Sequence, residues 1–376
     1  MGFVSMRILQ VSPYGPPMSG GSESFCFNLS RYLHKRGHDI TVWTGRYPRS
    51  GPKADYSEGF PIKRFFCASY VWEVNPAFFI IPDILRVVSK FDIVHVHSYI
   101  YFSANQLAFC RLLKRFPLIL HMHGGLGDLN PKLVGKWRFI AKRFYDKTFA
   151  RATIMVPDKI ISVSESDTKT LINNYKANPN KIVTIPNAVE TSKFSMTEQH
   201  NPKVATFIGR LVPWKGTAQM PIIFKKLIKK NIHVRVVGDG PDMNFLKKNC
   251  NKSVEFTGKL SKKEIPNILK NTSVLILPSF LEGLPTVCLE AMASGVPSVA
   301  YDIGGVKEVV KDYETGFLIK KGDIKSFVDR TIQLLEDSQQ YGRMSKLCYE
   351  RARLIYDFDV VTSEIEKEYR SLINEN

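Results

Sequence analysis

Two carboxylates, Glu282 and Glu290, stand eight positions apart in FLEGLPTVCLEAMASGVPSVAYDIGGVKEVV, the stretch from Phe280 to Val310. Such a pair beside a glycine turn could be an acid/base couple, a set of acceptors for hydroxyl groups, or the wet side of a helix. The local pattern separates these options. VLIL, from Val274, reads as a buried strand ending at Pro278, SFLEGLP as a loop, and TVCLEAMAS as a helix closed by Gly295. Pro285 fits the first helical turn, where no N–H is needed. Glu282 then precedes the helix and Glu290 lies about one and a half turns into it, so the carboxylates do not lie side by side. Val287, Leu289, Ala291 and Ala293 surround Glu290, and a charge on so apolar a helix is costly unless partnered. Paired hydroxyls of a ribose are suitable partners, and N–H groups at the helix start suit phosphate oxygens.

FIGRLVPWKG, from Phe207, carries Arg210 just beyond a strand and Lys215 five residues later, before Gly216 and a helix. A guanidinium and an ammonium converging from a strand-end loop neutralise a diphosphate, the planar fork positioning it and the ammonium adding point charge. Two solvated surface cations are the competing reading. VVGDGP, Val236 to Pro241, closes the next strand with a turn suited equally to a wall against a nucleotide base and to tight strand-to-helix geometry. Near the N-terminus, SPYGPPMSGGSES leads into the helix FCFNLSRYLHKRG. Gly20 and Gly21 allow close backbone approach and Ser22 can cap the helix, an arrangement fit for an anion or for an ordinary turn. LILHMHGG sets His121 and His123 two apart, and DIVHVHS repeats the spacing with His95 and His97. A metal pair there lacks a third ligand nearby. His95 and His121 therefore read as structural, and His123, followed by two glycines, as functional.

These residues stand at the ends of short β-branched runs. RILQV, DITVW, DIVHV, LILHM, IISV and IVTI form one series; after the polar EQHNPK (Glu198 to Lys203), VATFI, HVRVV, VEFTG, VLIL and SVAY form a second. Strands alternating with helices of about ten to fifteen residues mean βαβ units and parallel sheets. The expected architecture is α/β, two doubly wound domains over 1–195 and 200–357 with a cleft between them. Ligands of such sheets bind at the carboxyl ends of the strands. Residues 358–376 read as a last helix with a sticky face at Val360, Val361, Ile365, Tyr369 and Leu372.

The chain has 376 residues, 44% of them hydrophobic and 23% charged, as in soluble globular proteins. The run PAFFIIPDILRVV is broken by Pro82, Asp83 and Arg86, so nothing approaches the roughly 20 apolar residues of a membrane span. MGFVSMRILQVSPY runs directly into a strand, leaving no room for a signal peptide, and Gly2 with Met6 misses the myristoylation pattern. Six scattered cysteines fit free thiols in a reducing cytoplasm. The net charge of +18 is uneven: residues 1–190 hold 25 Lys and Arg against 13 Asp and Glu. PKLVGKWRFIAKRFYDKTFARAT, Pro131 to Thr153, interleaves Lys132, Lys136, Arg138, Lys142, Arg143, Lys147 and Arg151 with Trp137, Phe139, Phe144, Tyr145 and Phe149. A basic, aromatic helix suits an anionic membrane surface, although a core-packing aromatic face with a solvated basic face accounts for it as well.

Taken together, GGSE, HMHG, IPNAVE, GRLVPWKG, VVGDGP and the E-x7-E stretch ending in GG resemble the retaining GT-B glycosyltransferases of family 4, in order and over nearly the whole chain. The resemblance implies a GT-B fold of two Rossmann-like domains, the last helix crossing back to an acceptor-binding N-terminal domain, and a C-terminal domain holding a UDP- or GDP-sugar. It implies no metal or other cofactor. By position, Arg210 and Lys215 would hold the diphosphate and stabilise the leaving nucleotide, Glu290 would accept from the ribose, and Glu282 would contact the donor sugar. His123 would touch sugar and acceptor. Gly20, Gly21, Gly209, Gly238, Gly283, Leu284, Pro285 and Thr286 would complete the donor site, with Gly304 and Gly305 lining the cleft. Asn187 and Glu190 stand where the family has Asn-Gly-(Val/Ile)-Asp, here Asn-Ala-Val-Glu. Asp357 and Asp359 match an Asp-x-Asp metal motif of another sugar-transferase fold but cap the final helix. The expected acceptor is a lipid-linked saccharide or glycolipid at the inner face of the cell membrane. A nonhydrolysing nucleotide-sugar epimerase on the same fold, a sugar-binding scaffold, and a basic nucleic-acid- or membrane-binding protein compete. A pI near 9.5 motivates the nucleic-acid reading, but no nucleic-acid module is recognisable, so nucleic acid is not an expected partner.

Overall fold

A computed structural model describes residues 5–16, 20–71, 75–124, 126, 136–196 and 203–375. Gly2, Gly125, Lys132, the side chain of Arg138 and all of the Glu198–Lys203 stretch except Lys203 lie outside the described residues.

The chain divides into two compact units, and the final helix belongs to the first of them. In the first unit, β1 (Arg7–Val11), β2 (Asp39–Gly45), β3 (Ala54–Asp55) and β4 (Ile62–Phe65) occupy one half of the sheet. A small antiparallel pair, β5 (Ser69–Val71) and β6 (Asn75–Ala77), stands apart. β7 (Ile93–His97), β8 (Leu118–His121), β9 (Lys159–Ser162) and β10 (Ile182–Thr184) form the other half, and the strand order is β10-β9-β8-β7-β1-β2-β4-β3. All pairs are parallel except β3 with β4. Leu9, Val11, Val94, Val96, Leu118 and Leu120 are fully buried, which is why these strands read as unbroken apolar runs. β4, with sequence IKRF, carries two cations in four residues and gives no such signal.

The second unit holds β11 (Val204–Ile208), β12 (His233–Val237), β13 (Glu255–Gly258), β14 (Val274–Leu277), β15 (Ser298–Tyr301) and β16 (Gly316–Ile319). They pair in parallel in the order β13-β12-β11-β14-β15-β16. In each sheet the winding direction reverses beside the first strand, at β1/β7 and at β11/β14, and the carboxyl ends there form the crevice of a doubly wound fold.

The sequence places the junction at 195–200; the units instead meet in the chain at Asn187/Ala188. Residues after Ala188 are tied into the second unit: Val189 N–H donates to Tyr356 O at 2.8 Å, and the Asp357 carboxylate accepts from the hydroxyl and N–H of Thr191. Asp357 therefore fastens this segment, and Asp359 pairs with Arg36. The Phe358–Asn374 helix buries Phe358, Val361, Ile365, Tyr369 and Leu372 in the first unit, while Val360 faces outward. Glu366 on that helix binds Arg36 at 3.0 Å and His38 at 3.1 Å. Among the described residues no helix is long and apolar enough to cross a membrane.

Candidate functional site

At the carboxyl edge of the second sheet the loops after β11 and β14 lie against each other. Gly216 has φ +80° and a Cβ built there would stand 1.9 Å from the Pro278 carbonyl oxygen, so only glycine allows the approach. Phe280 N–H donates to Trp214 O at 2.7 Å. One 3-10 turn, Pro213–Lys215, ends at this glycine and aims Lys215 at the facing loop. Its ammonium reaches Glu282 Oε1 at 2.6 Å, the two side chains being 20% and 9% exposed. Arg210, two residues beyond β11, is exposed and has no ion pair among the described residues.

The glycines of this edge are explained by loop-to-loop contact. Gly238 has φ +136° and its Cβ would meet the Gly209 carbonyl oxygen at 1.9 Å, while Gly209 N–H donates to Val237 O at 2.9 Å. Of the two readings of VVGDGP, this geometry matches the tight turn. Gly304, at φ +44°, lies under Glu282, whose carbonyl oxygen would be 2.4 Å from an added Cβ. Gly305 precedes the short Val306–Val309 helix. Arg210, Lys215, Glu282 and Gly304 thus converge on one sheet edge.

The Thr286–Ala293 helix starts at the expected residue, and Pro285 is the extended residue before it, not part of its first turn. Leu284 is buried and Gly283 partly so. Glu290 lies among buried Cys288, Leu289 and Ala291. Burial raises its carboxyl group to about 7, with Lys262 opposing the rise. A carboxylate held so close to neutrality at physiological pH is a poised acceptor.

In the first unit Gly20 is the extended residue before the Gly21–Lys35 helix, and Ser22 lies inside the first turn instead of capping it. Glu23 Oε2 accepts from Gly20 N–H at 2.9 Å, so an anion approaching this turn shares it with a carboxylate. Gly21 opens onto free space.

β7 and β8 pair with His97 opposite His121, which assembles all four histidines into one stack. His121 and His123 have ring centroids 4.3 Å apart, His95 and His97 4.5 Å. The third ligand missing from the local sequence is therefore present: ring nitrogens of His95, His97 and His121 lie within 4.8 Å of one another. The rings of His95 and His121 are 4° from parallel and those of His97 and His121 23°. Stacked rings send their lone pairs along parallel planes, whereas a zinc ligand set converges at one point.

What the stack does build is a one-way hydrogen-bond chain. His123 Nε2 meets His97 Nδ1 at 2.8 Å, His97 Nε2 meets Gln10 Oε1 at 2.8 Å, and Gln10 Nε2 donates to Tyr369 Oη at 3.2 Å. Tyr369 Oη stands 2.5 Å from His95 Nδ1. With the amide oxygen of Gln10 toward His97, His97 donates from Nε2 and accepts at Nδ1, so His123 carries its proton on Nε2. Its Nδ1 is left as an acceptor, so the Asn187 side-chain amide, 3.4 Å away, meets it with its NH2 group. Burial pulls His123 down to about 4 and His95 to about 3. These rings are neutral at pH 7. Gln10, His97 and Tyr369 were not singled out from sequence as site residues; the repeated His-x-His at two strand ends was the available signal. Asn187 belongs to this unit, whereas Glu190 lies in the second and pairs with Lys193.

Residues 188–351 match the family model described as Glycosyl transferases group 1, and residues 19–193 match Glycosyltransferase Family 4. The chain is 31% identical over 346 residues to the UDP-Gal:alpha-D-GlcNAc-diphosphoundecaprenol alpha-1,3-galactosyltransferase of Escherichia coli, covering 83% of this chain and 84% of that protein. It is 26% identical to the sulfoquinovosyl transferase SQD2 of Arabidopsis thaliana, over 92% of this chain and 69% of that one. Among solved structures, sucrose-phosphate synthase from Thermosynechococcus elongatus superposes with a TM-score of 0.83 at 17% identity, over 99% of this chain and 100% of that one. Anabaena HepE in complex with UDP-glucose gives 0.76 at 18% identity, over 97% and 100%.

Proposed function

This chain belongs to the GT-B glycosyltransferases of family 4, and from that premise we propose that it moves a hexose from a UDP-sugar to a lipid-linked saccharide, with retention at the anomeric carbon and without a metal. A GDP-sugar is the second donor to test. The observation that carries the reading is the convergence of Arg210, Lys215 and Glu282 at the β11/β14 edge, with Glu290 on the next helix.

In this scheme the nucleotide diphosphate lies on the second unit. Arg210, exposed at the sheet edge, meets it bidentately, and Lys215 adds point charge as the leaving group develops negative charge. Glu290 accepts from the ribose hydroxyls. Glu282 accepts from a sugar hydroxyl while holding Lys215. The leaving diphosphate takes the acceptor proton, so no protein carboxylate pair is needed. On the first unit, His123 contacts a sugar hydroxyl. The identity to an enzyme named for a diphosphoundecaprenol acceptor supports a lipid-linked acceptor here, and with it a peripheral position at the inner face of the membrane.

A thermal-shift panel of UDP, GDP and ADP, followed by the matching sugars with and without a lipid-linked acceptor, tests the proposal. UDP is expected to stabilise most, and donor consumption to require acceptor. Consumption without acceptor points to an epimerase, and a product of inverted anomeric configuration sinks retention.

A further inference from the structure

Also on the first unit, a cavity of about 510 Å³ opens between the Phe102–Leu113 helix and the helical run 136–155. The Phe102–Leu113 helix is apolar on two faces. Leu107 and Cys110 enter the core, while Phe109 and Leu112 line the cavity and stay 50% and 71% exposed. Opposite them stand Tyr145, Phe149 and Val156, set by a π-helical turn over Asp146–Ala150. Such turns recur at functional sites.

The polar groups of the lining are satisfied within the protein. Asn105 Nδ2 donates to Tyr145 Oη at 2.9 Å and Thr153 Oγ1 at 2.6 Å, Tyr145 Oη donates to Tyr99 O at 2.8 Å, and Gln106 Nε2 donates to Phe78 O at 2.8 Å. A polar ligand would lose its water here and gain no partner. The occupant is therefore apolar. The neighbouring surface is cationic: Arg143, Lys147 and Arg151 are exposed on the same helical run, without an ion pair among the described residues. The one acid of that run, Asp146, is held by Lys142 at 2.5 Å.

We infer that this cavity receives the hydrocarbon tail of the lipid-linked acceptor, its phosphate groups meeting the cations beside it. The inference rests on the acceptor proposed above. It fits the position of the groove, which starts at Ile100 and Phe102, just past His97 at the carboxyl end of β7, and extends toward Leu112. His123 follows β8 at that same sheet edge. A tail lodged in the groove leaves its sugar at the histidine end.

The test is binding of farnesyl phosphate to the full chain, comparing wild type with Ala152→Trp, which fills the cavity from an exposed position, and Leu112→Glu, which charges its rim. Wild type is expected to bind, and each variant to lose about tenfold in affinity with its melting temperature, UDP-induced thermal shift and binding to phosphatidylglycerol vesicles unchanged. Equal binding by wild type and variants, or full competition by inorganic phosphate, overturns the inference. Loss of vesicle binding with farnesyl phosphate binding retained also overturns it, since the occupant is then a bilayer phospholipid. No farnesyl phosphate binding beside an intact UDP shift removes the cavity inference alone; absence of any nucleotide shift as well removes the glycosyltransferase scheme it rests on.

Discussion

Lys215 and Glu282, 67 residues apart, are joined at 2.6 Å across the loops that follow β11 and β14. The cation expected to meet a diphosphate is thus already held by the carboxylate expected to meet a sugar. Lys215→Ala leaves Glu282 with 9% exposure and no counter-charge, at a cost of about 1–3 kcal/mol. The double variant Lys215→Ala/Glu282→Ala should recover part of that loss. A double-mutant cycle by urea denaturation measures the coupling, and additive single effects would show the pair to be idle.

Arg210 is exposed and has no ion pair among the described residues, so its removal should leave folding alone. Arg210→Ala should keep the melting temperature of the free protein but lose the UDP shift and about 10- to 100-fold in turnover, the worth of a charge-assisted contact. Unchanged turnover would be fatal to the role assigned to it.

Glu290 predicts a pH signature. Its folded-state value of about 7 lies above the ordinary 4.5. Relative stability is therefore full below 4.5 and is lost as pH rises through 7. Glu290→Gln should stabilise the free protein more at pH 8 than at pH 5, by up to about 3 kcal/mol before screening of a half-buried group is allowed for. UDP affinity of the wild type should rise from pH 6 to pH 8 as the carboxylate forms, and that rise should vanish in Glu290→Gln. Calorimetric titration at three pH values reads both effects.

Tyr369 Oη accepts from Gln10 Nε2, which leaves the Gln10 amide oxygen toward His97. In Tyr369→Phe the Gln10 amide is free to turn, and His97 and His123 can exchange tautomers together. Nitrogen-15 NMR should show His123 as one Nε2–H tautomer in wild type and a mixture in the variant. The catalytic constant should fall about two- to tenfold with the donor KM little changed. A single unchanged tautomer in Tyr369→Phe would show that the chain sets nothing.

The basic helix predicts a membrane effect. Trp137 is 81% exposed and is flanked by cations on the same helix, so binding to anionic vesicles should weaken as salt rises. Arg143→Glu/Lys147→Glu should abolish it, each cation contributing about 1 kcal/mol at the surface. Equal binding to neutral vesicles at low and high salt rejects this reading.

From the sequence alone follow β1, β2 and β7 to β15, the loop-then-helix placement of Glu282 and Glu290, and the positions of Arg210 and Lys215 just past β11, whereas β3, β5, β6 and β16 went unread. Those features follow from local causes: apolar runs of strand length, glycine and proline punctuation, and helix starts and stops. β4 escaped because its cations hide the pattern, and the junction at Asn187/Ala188 escaped because it depends on Asp357 holding Thr191. That Lys215 pairs with Glu282, that Gly238 answers the Gly209 carbonyl, and that four histidines stack and connect to Tyr369 came from the three-dimensional arrangement. Each of those depends on strand order and register, which bring together residues far apart in sequence, and no local pattern records which strands will be neighbours.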